Sequence, residues 1–161
     1  MPSPLAESTN LNEAPAYWFL NALNVLLAHN LSGESAYSLI HLTAPSGLET
    51  PYHLHENEDE AFYLLDGELE ITIDDERIVA GAGSYIFLPR KVPHGFRCNR
   101  ASHVLIHAIP GCKVGFVGMM LELATPIYDR RNLPTPTPPD LARLAQVCEK
   151  NKIHLLGPLP R

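Results

Sequence analysis

A chain of 161 residues is long enough to bury a core without disulfide staples and short enough for one compact domain. Its composition, 45% hydrophobic and 19% charged, is that of a globular protein, and no apolar run approaches the length needed to cross a bilayer as a helix. The net charge of −6 and the scatter of the 12 Lys and Arg residues exclude a phosphate-backbone partner, which calls for a clustered basic stripe.

The opening stretch to about Pro15 is polar and proline-containing, so residues 1–14 are read as a flexible arm able to dock on a partner subunit. It lacks a basic start followed by an apolar run, so no secretory signal is read and the expected location is cytoplasmic. Cys98, Cys112 and Cys148, odd in number and without C-x-x-C pairing, fit free thiols in a reducing compartment. From Tyr17 to about Ile109, short apolar and aromatic runs separated by turn signals predict a strand-rich barrel or sandwich over residues 15–125. Asp66-Gly67, between EAFYLL and ELEITI, predicts a tight hairpin, and Asp74-Asp75 a second turn.

Beyond Pro110-Gly111, the spacing of Phe116, Met119, Met120 and Leu123 predicts a short helix against the barrel. Residues 126–161 are read as a proline-rich connector followed by a packed helix. The prolines of TPIYDRRNLPTPTPPD exclude regular structure and favour an extended strap. Pro139 and Asp140 then start a helix whose Leu141, Leu144, Ala145 and Cys148 form its buried stripe.

The chemistry concentrates in PYHLHENEDEAFYLLDG. Alternate residues of a strand share one face, so His53 and His55 present their imidazoles side by side as a chelate. Glu56 to Asp59 are read as a solvated acidic turn, after which Glu60 brings a carboxylate opposite the pair. A fourth ligand, His94, follows the proline-bounded turn of GSYIFLPRKVPHGF. Three imidazoles and one carboxylate suit one divalent Fe, Mn, Co, Ni, Cu or Zn ion with coordination positions left open for water or substrate. By strand parity Phe62, Leu64 and Phe96 share the ligands' face, and Phe116 and Met119 stand where they can cap the mouth; plain core packing accounts for the same residues. His29, His41, His103, His107 and His154 have no such companions and are read as structural or surface residues.

These residues resemble the cupin motifs. Gly47, His53, His55, Glu60 and Gly67 match the first motif, and the run from Gly83 through Pro89 to His94 is similar to the second, with Lys91 where glycine is usual and Cys98 where asparagine is usual. The wider chain resembles quercetin 2,3-dioxygenase-like cupins through YWFLNALNVLL, EAFYLLDGELEI, TPPDLARL and HLLGPLP. The resemblance implies an all-β jelly-roll (double-stranded β-helix) barrel with short C-terminal helices, assembled as a homodimer. It also implies a metal-dependent dioxygenase using O2 on a flavonol-like or other enolizable aromatic molecule, with Glu60 as ligand or as base. Two rivals stand beside it: an isomerase or lyase of a small oxo-acid or sugar, for which Arg90, Lys91 and Arg97 near His94 would supply cations, and a non-enzymatic metal- or ligand-sensing module.

Overall fold

The computed structural model describes residues 9–29, 37–111 and 113–161. Most of the expected N-terminal arm, and Cys112, lie outside the described residues; the arm's last residues, Asn10 to Ala14, form a turn that ends on the buried Ala14.

Ten strands and two helices follow in the order β1 (Ala16–Phe19), β2 (Ala22–Ala28), β3 (Ser38–Ala44), β4 (Tyr52–His55), β5 (Asp59–Ile73), β6 (Glu76–Gly81), β7 (Tyr85–Leu88), β8 (His94–Ile109), α1 (Phe116–Leu123), β9 (Thr125–Ile127), α2 (Leu141–Lys150) and β10 (Ile153–Gly157). The sheet runs β10-β4-β8-β3-β2-β1-β9, and β5 joins it along β8 while carrying β6 and β7. Inward residues of β2, β3, β5, β6, β7 and β8 meet in one core that includes Leu26, Ile40, Phe62, Ala80, Leu88 and Val104, so the sheet wraps around that core. Among the described residues its hydrogen bonding does not close into a ring. The protein is therefore mostly β with a jelly-roll-like open barrel, and no helix among the described residues is long and apolar enough to cross a membrane.

The hairpin expected at Asp66-Gly67 is absent. β5 runs unbroken for 15 residues through this dipeptide and exchanges β7 for β6 as its neighbour, while staying antiparallel to β8 throughout. Gly67, at φ +94°, sits in a bulge, where the register against β8 shifts between Leu64 and Leu69. The extra residue reverses the parity of the strand: Glu60, Phe62 and Leu64 face inward before it, Leu69 and Ile71 after it. The buried Ser102 hydroxyl accepts from Glu68 N–H at 3.1 Å and so satisfies a donor near the bulge. The turn expected at Asp74-Asp75 is present, joining Ile73 to Glu76 as a two-residue hairpin with Asp74 at φ +51°.

Both expected helices form. α2 is capped by the Asp140 carboxylate, which accepts from Arg143 N–H at 3.0 Å. Its buried stripe is Leu144, Val147 and Cys148, whereas Leu141 and Ala145 are exposed, a correction of about one residue around the helix. The cause is the direction of its neighbours: α2 packs with Met119 and Met120 of α1, Phe19 of β1 and Ile153 of β10, and this second cluster selects the face. The connector is also less irregular than expected, because Thr125–Ile127 pairs with β1 as an edge strand, where Pro126 forfeits no ladder bond. Asn21 then exchanges two 3.0 Å hydrogen bonds with the backbone of Thr137, and Arg130 donates to the carbonyls of Leu11 and Ala14, so the strap is tied down at both ends.

Candidate metal centre

β4, β5 and β8 bring His53, His55, Glu60 and His94 together, with one possible ligand atom from each lying within 4.8 Å of the others. His53 and His94 are direct partners across β4 and β8, so the sheet itself sets two imidazoles side by side. Glu60 Oε2 lies 3.1 Å from His94 Nε2 and 3.6 Å from His55 Nε2. His55, Glu60 and His94 are each at most 4% exposed.

The imidazole orientations are those of ligands. Each Nδ1 meets an acceptor outside the cluster: Pro51 O for His53 at 2.8 Å, Val92 O for His94 at 3.0 Å and Glu58 Oε1 for His55 at 3.0 Å. A proton held at Nδ1 leaves the Nε2 lone pair free to face the common point, which is the tautomer a metal ion requires. His55 Nε2 has no hydrogen-bond partner although it is fully buried. A buried acceptor of this kind is costly unless something fills the point it faces. The donor set thus fits one divalent ion.

Lys91, where glycine is usual, adopts φ +65° and donates its N–H to His55 O at 2.7 Å. The side chain therefore accepts the left-handed conformation that glycine would adopt without strain, and the turn before His94 keeps its shape.

Charge at the centre is sharply partitioned. Burial works to raise Glu60, but the imidazoles, His55 foremost, pull it down to about 2, so it is a carboxylate at every ordinary pH. Burial, reinforced by His94 and His55, pushes His53 down to about 3 and keeps it neutral. Burial also opposes charge on His55, yet Glu60 and the bond to Glu58 outweigh it and raise His55 above 6.5. Since a ligating imidazole must be neutral, His55 has to surrender a proton when an ion binds below its raised pKa. Loading the metal-free protein with an ion below that raised pKa should therefore release protons, and affinity should rise with pH until His55 is neutral. Calorimetry at about pH 6 in two buffers of different ionisation enthalpy measures this; binding that releases no proton would contradict the raised pKa of His55.

The centre opens on a cavity with about 80 Å³ of water-accessible space. Phe62 and Phe96 meet edge-to-face at 5.5 Å in its wall, and Phe19, Leu20, Phe116 and Met119 line it as well. No Lys or Arg among the described residues lines it. Its neutral polar side chains are committed to backbone: Asn24 donates to the Ala22 carbonyl at 3.2 Å, and Thr50 accepts from Phe96 N–H at 3.0 Å. Of the residues read as pocket wall, Phe62, Phe96, Phe116 and Met119 line the cavity. Leu64 does not: it lies four residues along β5 from Glu60, roughly 13 Å at strand rise, and is wholly buried opposite Val104.

The cations near His94 are engaged elsewhere, Arg90 with Asp59 at 2.8 Å and Arg97 with Glu49 at 2.7 Å. The other histidines stand apart from the centre: His29 against Ser38, His41 against His103, His107 against Tyr37 and His154 against Glu56. The acidic turn is a correction. Glu58 is 1% exposed and bonded to His55, not solvated, and burial raises its pKa against the pull of His55. The signal available in the sequence was its i+3 spacing from a candidate ligand histidine, which a row of four polar residues concealed.

Comparison with known proteins converges on the same segment. Residues 40–109, from β3 to the end of β8 and including all four candidate ligands, match the model described as Cupin domain. The chain is 31% identical over 85 residues to quercetin 2,3-dioxygenase of Bacillus subtilis, covering 53% of this chain and 25% of that protein. It is 33% identical over 69 residues to an uncharacterised protein of Methanocaldococcus jannaschii, covering 43% of this chain and 55% of the other. The chain thus spans about a quarter and about half of these two relatives. The crystal structure of an RmlC-like cupin from Shewanella frigidimarina superposes with a TM-score of 0.58 at 19% identity, covering 68% of this chain and 94% of that one.

Proposed function

This chain is a small cupin-superfamily protein, and from that premise we propose that it is a metal-dependent dioxygenase of a flavonol-like or other enolizable aromatic molecule. The observation that supports the reading is an aromatic-walled cavity that ends on His53, His94 and the Glu60 carboxylate, with His55 completing the cluster behind them. A wall without Lys or Arg has nothing to clamp a carboxylate, which weighs against an isomerase or lyase of small oxo-acids, the charged branch of the oxo-acid or sugar rival.

His53, His55, His94 and Glu60 would hold one divalent Fe, Mn, Co, Ni, Cu or Zn ion. Bound there, the ion would lower the pKa of a coordinated hydroxyl by several units and leave positions open for substrate and O2. Glu60 remains anionic, so its Oε2 is available either as a ligand or to accept the proton of such an acidified hydroxyl. Phe62 and Phe96 offer apolar faces to an aromatic ring, and the wall keeps water from the enolate that results. The water-accessible space is below the roughly 300 Å³ at which small-molecule pockets begin, so admitting such a ring requires the wall near Phe116 and Leu20 to yield. A homodimer belongs to the same reading, supported by the exposed Tyr63, Leu65, Tyr85 and Phe87 on the outer face of β5 and β7.

The test is aerobic incubation of protein reconstituted with Fe, Mn, Co or Ni with a panel of flavonols, following O2 consumption and carbon monoxide release. Turnover with at least one ion, lost in Glu60→Gln, is expected; no turnover with any of the four removes the dioxygenase reading.

A further inference from the structure

Glu58 makes two contacts that no other residue duplicates. Its Oε1 accepts from His55 Nδ1 at 3.0 Å and from the backbone N–H of Phe116, 58 residues later in the chain. Phe116 is the first residue of α1, a helix with no cap of its own: its N-cap is Gly115, no side chain there accepts a hydrogen bond, and no acidic residue lies in its first turn. The N–H groups of a helix start have no partner within the helix, and a carboxylate there meets both these donors and the positive end of the helix dipole. Glu58 therefore caps α1 from a distant loop with the same oxygen that orients a candidate ligand.

Space has been kept for this contact. A Cβ built on Gly115 would lie 2.5 Å from Glu58 Oε2 and 2.7 Å from its Cδ. Gly115 has φ 170°, extended backbone open to any residue, so packing against Glu58 is what demands glycine. α1 in turn sets Phe116 and Met119 in the cavity wall, with the Phe116 ring 6.4 Å from that of His55.

We propose that Glu58 is a positioning residue that ties His55 to the start of α1, so that metal loading of the centre and closure of α1 over the cavity are linked. The inference rests on the metal-site reading above. Compared with the neutral imidazole, one carrying an ion on Nε2 has a stronger Nδ1–H donor, which tightens the bond to Glu58 and holds the carboxylate where it caps α1. Linkage is reciprocal: an apolar ligand that holds Phe116 and Met119 closed must raise metal affinity by the factor by which metal favours closure. Opening of α1 would then admit substrate, and loading would favour the closed wall.

Two variants separate this role from simple packing. Glu58→Gln keeps an oxygen able to accept from both His55 and Phe116, whereas Glu58→Met keeps the volume and removes the acceptor. Gly115→Ala displaces the carboxylate from the other side and serves if Glu58→Met does not fold. The readouts are Co(II) affinity by titration and hydrogen exchange at the amides of residues 116–120 with and without Co(II). In the wild type and Glu58→Gln, Co(II) should slow exchange in α1 by about tenfold or more. In Glu58→Met and Gly115→Ala that slowing should vanish, with Co(II) bound about 10- to 100-fold more weakly. The amides of Val104 to Ile106 in β8 should respond alike in all forms. Wild-type protein that binds Co(II) without slowing α1, or a Glu58→Met variant that retains the slowing and the affinity, overturns the proposal. Wild-type protein that takes up no Co(II) overturns the metal-site reading, and the linkage with it.

Discussion

His53→Ala should lose stoichiometric metal uptake while keeping its fold. Binding of roughly 10–16 kcal/mol spread over four ligands gives about 3 kcal/mol for one, which weakens affinity more than about a hundredfold. His53 is the informative position because it is neutral at all ordinary pH, so its loss removes a ligand without removing a charge. It is also less buried than His55 or His94, at the short strand β4, and its ring packs against theirs. Melting in the presence of chelator should therefore shift by only about 1–3 °C, the scale of a change below 1 kcal/mol in a domain of this size. His103→Ala, on the opposite side of the sheet, serves as the control and should bind one equivalent. Metal analysis after dialysis distinguishes these outcomes, and a His53→Ala protein that still carries one ion at wild-type affinity removes His53 from the ligand set.

Gly67→Ala is expected to destabilise the fold far more than the same methyl addition at Gly81. The new Cβ would lie 2.2 Å from Ser102 Oγ, 2.5 Å from Ala101 O and 2.6 Å from Ser102 Cα, and two of those three atoms belong to the backbone of β8. The φ of +94° adds strain for any L side chain, about 1–2 kcal/mol, and overpacking adds about 1–3 kcal/mol. The sum, about 2–5 kcal/mol, corresponds to a fall in Tm of roughly 10 °C. Gly81→Ala is the matched control, because its Cβ would meet nothing within 4 Å and its backbone needs no positive φ. Equal melting temperatures for the two variants would mean that the bulge at Gly67 is not the fixed feature described.

The bulge also shows how a local signal becomes ambiguous. Asp-Gly supplies a left-handed residue, and that conformation serves a hairpin and a bulge equally well. Which of them forms depends on the strand that comes to lie alongside, and here β8 accompanies β5 on both sides of Gly67. The parity of the residues carried a clue, since Phe62 and Leu64 are even and Leu69 and Ile71 odd, but a hairpin would also permit that change. The same ambiguity affects α2, where the stripes Leu141-Leu144-Ala145-Cys148 and Leu144-Val147-Cys148 both have helical spacing. The contacts with Met119, Phe19 and Ile153 choose between them. For the strand at Thr125–Ile127, the proline that argued against regular structure is harmless because the strand lies at an edge.

The four candidate ligands and the β class of the fold were determined by the sequence alone. Alternation along a strand is a local rule, so His53 and His55 share a face wherever β4 lies, and the spacing to Glu60 and the second motif around His94 supplied the rest. The burial of Glu58, the cap it gives α1 and the glycine that makes room for it were decided by the tertiary structure. These depend on a loop meeting a helix 58 residues away, a contact that no local periodicity encodes. A carboxylate in a polar turn is solvated unless a distant donor arrives, and only the folded chain brings the Phe116 N–H to it.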